Sequence, residues 1–314
     1  MKICILGSGT WGTALSHVLN KNNQNVSIWS RDVSKNKNNS INYFSDLNKI
    51  SDFNILIIAL PSQSIKNIFN QISPFIKSET IILNASKGFD RKTMNPISLT
   101  LFKNFNIKES NYSVISGPSH AEEVLSNIPT ALVLASKNHD HSNLLQKIFS
   151  NQFFRIYTTS DVIGLEVAAS CKNIISIAAG ICFGIGYGDN TVAALITRGV
   201  NEIVRLGMHF NAEKETFYGL GGFGDLSVTA YSKHSRNRAF GTFIAQNLSI
   251  EDAKRKVGMV VEGVHSTDVI YKISTKYQIN MPIVNEVYSI LFNQKCPKSA
   301  INDLMYRKLG KEFN

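Results

Sequence analysis

Five short stretches carry side chains whose types could do chemistry. They are NASKGFD with Lys87, ISGPSHAEE with Ser119 and His120, SCKNI with Lys172, GGFGDLSVT with Asp225, and SKHSRNRAFG with Arg236, Asn237 and Arg238. Lys172 is the most demanding, because apolar residues flank it on nearly every side in AASCKNIISIAAGI, residues 168–181. A lysine in such a run needs a salt bridge, a way out to water, or a proton to move. Two lysines and two arginines beside glycine-rich backbone suit an anionic substrate, and the arginine fork matches a phosphate. No GxSxG turn points to acyl transfer. No carboxylate pair at workable spacing points to glycoside hydrolysis, and no HExxH or Cys/His cluster points to a metal. Plainer readings stand beside these. Lys172 could snorkel at a helix surface, Asp225 could cap a helix starting at Leu226, and Arg236 and Arg238 could form a solvated basic turn. His120 suits packing or hydrogen bonding.

What would bring these residues together is a dinucleotide fold. GSGTWG, residues 7–12, follows the apolar run KICIL and opens the helical segment TALSHVLNKN. In that context Gly7 permits the tight turn, Gly9 lets the backbone approach a pyrophosphate, and Gly12 lets helix and strand pack closely. The helix N-terminus then attracts the negative charge. The second strand ends in Ser30 and Arg31 with Asp32 one place later, and an arginine there suits the 2'-phosphate of NADP, so NADPH is favoured while NADH stays open. Lys87 and the segment Gly117 to Ser119 each follow a predicted strand. Ligands of open α/β sheets sit beyond the carboxyl ends of the strands, so both would face the crevice of the glycine turn. The remaining chemistry is hydride transfer from a nicotinamide. A ketone that receives hydride becomes an oxyanion and needs a proton donor or cation. Desolvation and the like charges of Lys87 and Arg236 would lower the pKa of Lys172 for that task.

The elements that must position these groups are legible in outline. KICILG, NVSIWS, NILIIAL, TIILNAS, YSVIS, TALVLAS and FFRIYT read as strands, with helical segments at 11–22, 62–77, 94–105 and 140–150 between them. Such alternation predicts βαβ units and a mostly parallel sheet covered on both faces. After about residue 158 only helical patterns follow, at 160–182, 189–207, 212–218, 224–231, 236–247, 250–256 and 262–276, then a C-terminal pair. The fold class is therefore α/β: a Rossmann-like dinucleotide-binding domain over residues 1–158, then an all-α substrate-binding domain over 159–314.

Composition narrows the function classes. The 314 residues are 43% hydrophobic and 18% charged, as a globular chain of two domains is. The net charge of +10 lies in scattered Lys/Asn-rich patches such as KNNQN and KNKNNS rather than on one helix face. No RNP, zinc-finger or helix-turn-helix signature accompanies it, so a small anionic ligand is expected and nucleic acid is not. The apolar run 162–186 approaches membrane-spanning length but contains Glu166 and Lys172. Each charge at a bilayer centre costs about 2.5–3.5 kcal/mol, so a helix buried in protein is expected and membrane insertion is not. The start MKICILGSG has too short an apolar run for a signal peptide, which leaves a cytoplasmic location. The four cysteines lack metal-ligand spacing and read as reduced thiols, three of them inside apolar runs.

The blocks GSGTWGTALS, ASKGF, GPSHAEEV, CKNIISIAAG, GDNTVAALITRG, GLGGFGDLSVTAYSKHSRNRAFG and VVEGV run in order from residue 7 to 264. In that order they resemble the NAD(P)-dependent glycerol-3-phosphate dehydrogenases of the bacterial biosynthetic type. The resemblance implies reduction of dihydroxyacetone phosphate to sn-glycerol 3-phosphate, the phospholipid backbone precursor. It implies cofactor contacts from Thr10, Trp11, Arg31, Ala121, Val260 and Glu262, with Lys87 and Arg236 near the cofactor as well. It also implies Lys87, Gly117, Ser119, Asp225, Ser235, Arg236 and Asn237 in the substrate site, with Arg236 on the phosphate. Lys172 becomes the general acid in reduction and the base in reverse. The resemblance allows a homodimer, which no spacing in the sequence specifies. Two departures matter: the segment between Arg31 and Asn54 is shorter than usual for the family, and ASCK replaces the usual GALK, putting Ala169 and Cys171 where Gly and Leu are common. The other classes such a sequence admits are a two-domain dehydrogenase of another hydroxy acid and a nucleotide-binding regulator. The SRNRAFG block weighs against the first, and the joint presence of Lys87, Lys172, Asp225 and Arg236 against the second.

Overall fold

The structure, a computed structural model, describes residues 1–35 and 41–312. The KNKNNS stretch lies outside the described residues except for Lys35. The strands are β1 (Lys2–Leu6), β2 (Asn25–Trp29), β3 (Asn42–Phe44), β4 (Ile55–Ile58), β5 (Ile81–Asn84), β6 (Tyr112–Ser116), β7 (Thr130–Ser136) and β8 (Phe154–Thr159). They form one sheet in the order β3-β2-β1-β4-β5-β6-β7-β8. Neighbours pair in parallel except β6 with β7. Between the strands run α1 (Thr10–Lys21), α2 (Ser62–Ile72), α3 (Ile97–Phe105), α4 (Ala121–Leu125) and α5 (His139–Phe149). After them come α6 (Val162–Gly184), α7 (Asp189–His209), α8 (Asp225–Tyr231), α9 (Arg236–Ala245), α10 (Ile250–Val257), α11 (Glu262–Lys276), α12 (Pro282–Phe292) and α13 (Pro297–Met305).

The uninterrupted apolar strands are explained by burial on both faces of the sheet. Ile3, Ile5, Ile55, Ile57 and Leu83 pack on one side with Leu15, Val18 and Leu19 of α1 and Leu145 and Phe149 of α5. The alternate residues Cys4, Leu6, Leu56, Ile58 and Ile82 pack on the other with Ile65, Ile68 and Phe69 of α2 and Leu101 of α3. The period-2 alternation of side chains makes this three-layer arrangement possible.

The chain forms two compact units, Met1–Ala169 with Gly207–Asp225, and Ser170–Leu206 with Leu226–Asn314. The strands end at Thr159, one residue past the boundary read from the sequence at 158, while packing divides the chain inside α6. Two buried side chains explain why the start of α6 stays with the sheet. Leu165 joins the apolar layer of α2 and α3, and the Glu166 carboxylate accepts hydrogen bonds from Asn84, Ser98 and Tyr112. Asp161 draws in the later segment. Its Oδ1 accepts from Gly164 N, and its Oδ2 accepts from Glu213 N at 3.0 Å and Thr216 Oγ1 at 2.6 Å.

α6 is apolar on all sides because it is buried on all sides. It has the length and hydropathy of a membrane span, and 89% of its most apolar window is buried inside the protein. Within the second unit, α7, α11 and α12 bury Val200, Ile203, Ile270, Ile273, Val284 and Val287. Glu202, 1% exposed, accepts from Ile283 N at 2.7 Å and Val284 N at 3.2 Å, capping the start of α12.

Candidate active site

The glycine turn has the geometry a dinucleotide needs. Gly7 lies at φ +120°, and a Cβ there would come within 2.4 Å of Ala59 O. A Cβ on Gly12 would come within 2.2 Å of Gly7 O, so both positions require glycine. Around Gly9, by contrast, a Cβ would meet nothing within 4 Å. Gly9 is also the N-cap of α1, with no side chain capping the first-turn amides. Open space in front of an uncapped helix N-terminus is a cradle for a pyrophosphate, and these residues fit a nicotinamide dinucleotide. Trp11 adds an indole nitrogen that is buried without a hydrogen-bond partner. At the end of β2 the Ser30 hydroxyl donates to Asp32 O at 3.0 Å and lies 2.9 Å from Ser8 Oγ. The Asp32 carboxylate accepts from Ser34, and Arg31 is exposed.

Beyond β5 and β6 the first unit places an ion pair. Lys87 Nζ lies 2.9 Å from Asp225 Oδ2, with side-chain exposures of 19% and 1%. Ser116, the last residue of β6, donates to the same carboxylate oxygen at 3.3 Å. Asp225 does not cap a helix starting at Leu226. A π-helical turn, Leu220–Gly224, runs directly into α8, and Asp225 is already helical at φ −69°, ψ −35°. Its carboxylate is turned to Lys87 and Ser116. Gly117 is buried at φ +150°, and Ser119 Oγ donates to its carbonyl at 2.9 Å.

The second unit holds Lys172 away from solvent. It is 5% exposed, so it does not snorkel at a helix surface, and Nζ donates to Thr229 Oγ1 at 2.9 Å. The Cys171 thiol, next to Lys172 in the chain, is pushed up by burial and by the charge of Glu202, which keeps it neutral. Asn237 Nδ2 donates to Asn173 Oδ1 at 2.9 Å, and Asn237 Oδ1 accepts from Gly263 N at 3.0 Å, tying α6, α9 and α11 together. Ser235 caps α9 by accepting from Arg238 N. Arg236, the first residue of that helix, is exposed and donates to Val260 O at 3.3 Å. No group of three or more His, Cys, Asp or Glu side chains that could hold a metal occurs among the described residues.

Comparison with known proteins places this arrangement. Residues 2–142 match the family model described as NAD-dependent glycerol-3-phosphate dehydrogenase N-terminus, and residues 161–302 match the C-terminus. Glycerol-3-phosphate dehydrogenase [NAD(P)+] of Carboxydothermus hydrogenoformans is 39% identical, covering 100% of this chain and 99% of its own. The protein of the same name from Clostridium botulinum is 41% identical, covering 99% of each. The chain belongs to the glycerol-3-phosphate dehydrogenase family. The crystal structure of glycerol-3-phosphate dehydrogenase from Coxiella burnetii has a TM-score of 0.91 at 34% identity, covering 98% of this chain and 99% of that one. The yeast glycerol-3-phosphate dehydrogenase, at 21% identity and a TM-score of 0.83, shares the fold.

Within this family chain, the predicted site residues fall into two sets. Gly7, Gly9, Thr10, Trp11, Gly12, Arg31, Lys87, Gly117, Ser119, Ala121 and Asp225 lie in the first unit. Lys172, Ser235, Arg236, Asn237, Val260 and Glu262 lie in the second. His120 is the N-cap of α4, and its backbone carbonyl accepts from Glu123 N and Val124 N. Thr229 was not singled out by sequence, although it sits one helical turn beyond Asp225 on α8, a spacing that puts both on one face. Asn173, beside Lys172, was passed over in the same way. Among the cysteines, Cys4, Cys171 and Cys182 are buried, whereas Cys296 is exposed.

Proposed function

We propose that the chain reduces dihydroxyacetone phosphate to sn-glycerol 3-phosphate with NADH or NADPH, supplying the backbone for phospholipid synthesis. Full-length family membership carries the reaction. A lysine held at 5% exposure against a threonine hydroxyl supports its proton donor.

When bound, the nicotinamide supplies the hydride. Lys172 Nζ donates a proton to the substrate carbonyl oxygen as negative charge builds there, and accepts it in the reverse direction. Thr229 Oγ1 accepts from that ammonium and fixes its orientation. Lys87, oriented by Asp225, brings positive charge to the substrate, and Gly117, Ser119 and Asn237 offer it neutral hydrogen-bonding groups. Arg236, at the start of α9 beside Ser235, pairs with the phosphate through its planar fork. The Gly7 to Gly12 turn and the α1 amides at Thr10 and Trp11 hold the pyrophosphate. Arg31, Ala121, Val260 and Glu262 complete the cofactor contacts, and Arg31 favours the 2'-phosphate of NADPH.

We assign the enzyme to the cytoplasm as a homodimer, to be read by fractionation and sedimentation velocity. The deciding experiment follows loss of nicotinamide absorbance when purified protein meets dihydroxyacetone phosphate with NADPH or NADH. Turnover is expected, and its absence with both cofactors overturns the assignment. A substrate panel including 2-keto acids separates this reading from a hydroxy-acid dehydrogenase.

A further inference from the structure

The loop from Ala85 to Pro96 carries Lys87, and both of its ends are held by one carboxylate that takes no part in the reaction above. Glu166, 3% exposed, accepts from Asn84 Nδ2 at 3.0 Å, and Asn84 is the last residue of β5. The same carboxylate accepts from Ser98 N at 3.2 Å and Ser98 Oγ at 2.5 Å. Ser98 lies in the first turn of α3, whose N-cap, Pro96, offers no side-chain acceptor. Tyr112 Oη donates to Glu166 Oε1 at 2.6 Å and anchors the carboxylate to β6. Asn84, Ser98 and Tyr112 are each fully buried.

The hold continues into the loop. Asn84 Oδ1 accepts from Ser86 N at 2.9 Å, directly before Lys87. Ser86 Oγ donates to Ile58 O and accepts from Leu60 N, fastening the same residue to the end of β4. On the far side, Phe89 pairs with Pro96 and Asp90 N donates to Asn95 O, closing the loop's stem.

We infer that Glu166 is a positioning residue for Lys87, acting through Asn84 and Ser98 at the two ends of its loop. The inference rests on the reading of Lys87 as a substrate-site residue. A buried carboxylate satisfied by several donors fixes geometry more tightly than one hydrogen bond would. Loss of that geometry acts on catalysis, because displacing a site group by about 1 Å can lower the rate ~100-fold.

The test is a double-mutant cycle on kcat/KM for dihydroxyacetone phosphate, using Glu166→Gln, Asn84→Ala and Lys87→Met, with folding checked by circular dichroism. Asn84→Ala leaves the carboxylate and its hold on α3 in place, so it reports if Glu166→Gln fails to fold. Each of the two positioning variants is expected to lower kcat/KM about tenfold alone, and less than about twofold in the Lys87→Met background. Merely structural damage would add in full to Lys87→Met. Full additivity for the folded variants, or wild-type kcat/KM for them, overturns the inference while leaving the Lys87 assignment standing. An unchanged kcat/KM for Lys87→Met overturns both.

Discussion

Lys172 is buried away from solvent, and the residues around it decide what it can do. Its Nζ donates to Thr229, and the Cys171 thiol stays neutral because burial pushes it up, so the unusual cysteine adds no charge. Lys172→Ala is expected to lower kcat by about 10²–10⁴, the range of a positioned acid or base, while the Kd for NADPH measured by fluorescence titration changes little. A near-wild-type kcat would remove its role. At this scale the sequence was informative wherever a charge stood in an unexpected place, as at Lys172, or beside glycine-rich backbone, as at Lys87, Asp225 and Arg236. It was uninformative for Thr229, because a threonine in a helix carries no sign of its partner. Glu166 was visible only as a charge unsuited to a membrane. Its donors come from β5, α3 and β6, far from it in sequence.

At the scale of elements, the turn between β1 and α1 separates two uses of glycine. Gly7→Ala puts a methyl group onto Ala59 O from a backbone only glycine adopts easily, and should destabilise the fold by about 1–3 kcal/mol or more. Gly9→Ala projects into open space, and an N-cap glycine exchanged for alanine costs at most about 1 kcal/mol. Its expected signature is a nearly unchanged Tm with at least about tenfold weaker NADPH binding, since the backbone can no longer approach the pyrophosphate. Equal losses of Tm in both variants would refute this distinction.

The cap of α12 makes a second prediction. Burial pushes the Glu202 carboxyl up to about 7, against its two amide donors and Arg205. Between its ordinary value of 4.5 and about 7 the folded chain keeps a proton that the unfolded chain has released. The contribution of Glu202 to stability is therefore complete below about 4.5 and declines as pH rises through 7. Urea unfolding of the wild type minus that of Glu202→Gln should fall by on the order of 3 kcal/mol from the acidic to the alkaline limb. A difference independent of pH would contradict it. Elements long enough to show their period were legible. β3, with three residues, and α4, with five, were not, because neither completes enough repeats of 2 or 3.6 for a pattern to form.

For the whole molecule, the charge of +10 is a statement about its ligands rather than its fold. A basic chain attracts a phosphate ester and a dinucleotide alike, so kcat/KM should fall as ionic strength rises, and neutral inert solutes at equal osmolality should not reproduce the fall. A salt-independent kcat/KM would mean that the surplus charge lies where no ligand approaches. The sequence indicated the order of the architecture, strands first and helices after, because local patterns follow the chain. It did not reveal that Gly207–Asp225 returns to the first unit, since that depends on Asp161 meeting Glu213 and Thr216.

That return limits how the gene can be divided. A fragment ending at Ala169 would leave Asp161 facing absent donors and Lys87 without the carboxylate that orients it. No single cut yields the first unit intact, so recombination that exchanged it between relatives would have to carry Gly207–Asp225 as a second, separate insert.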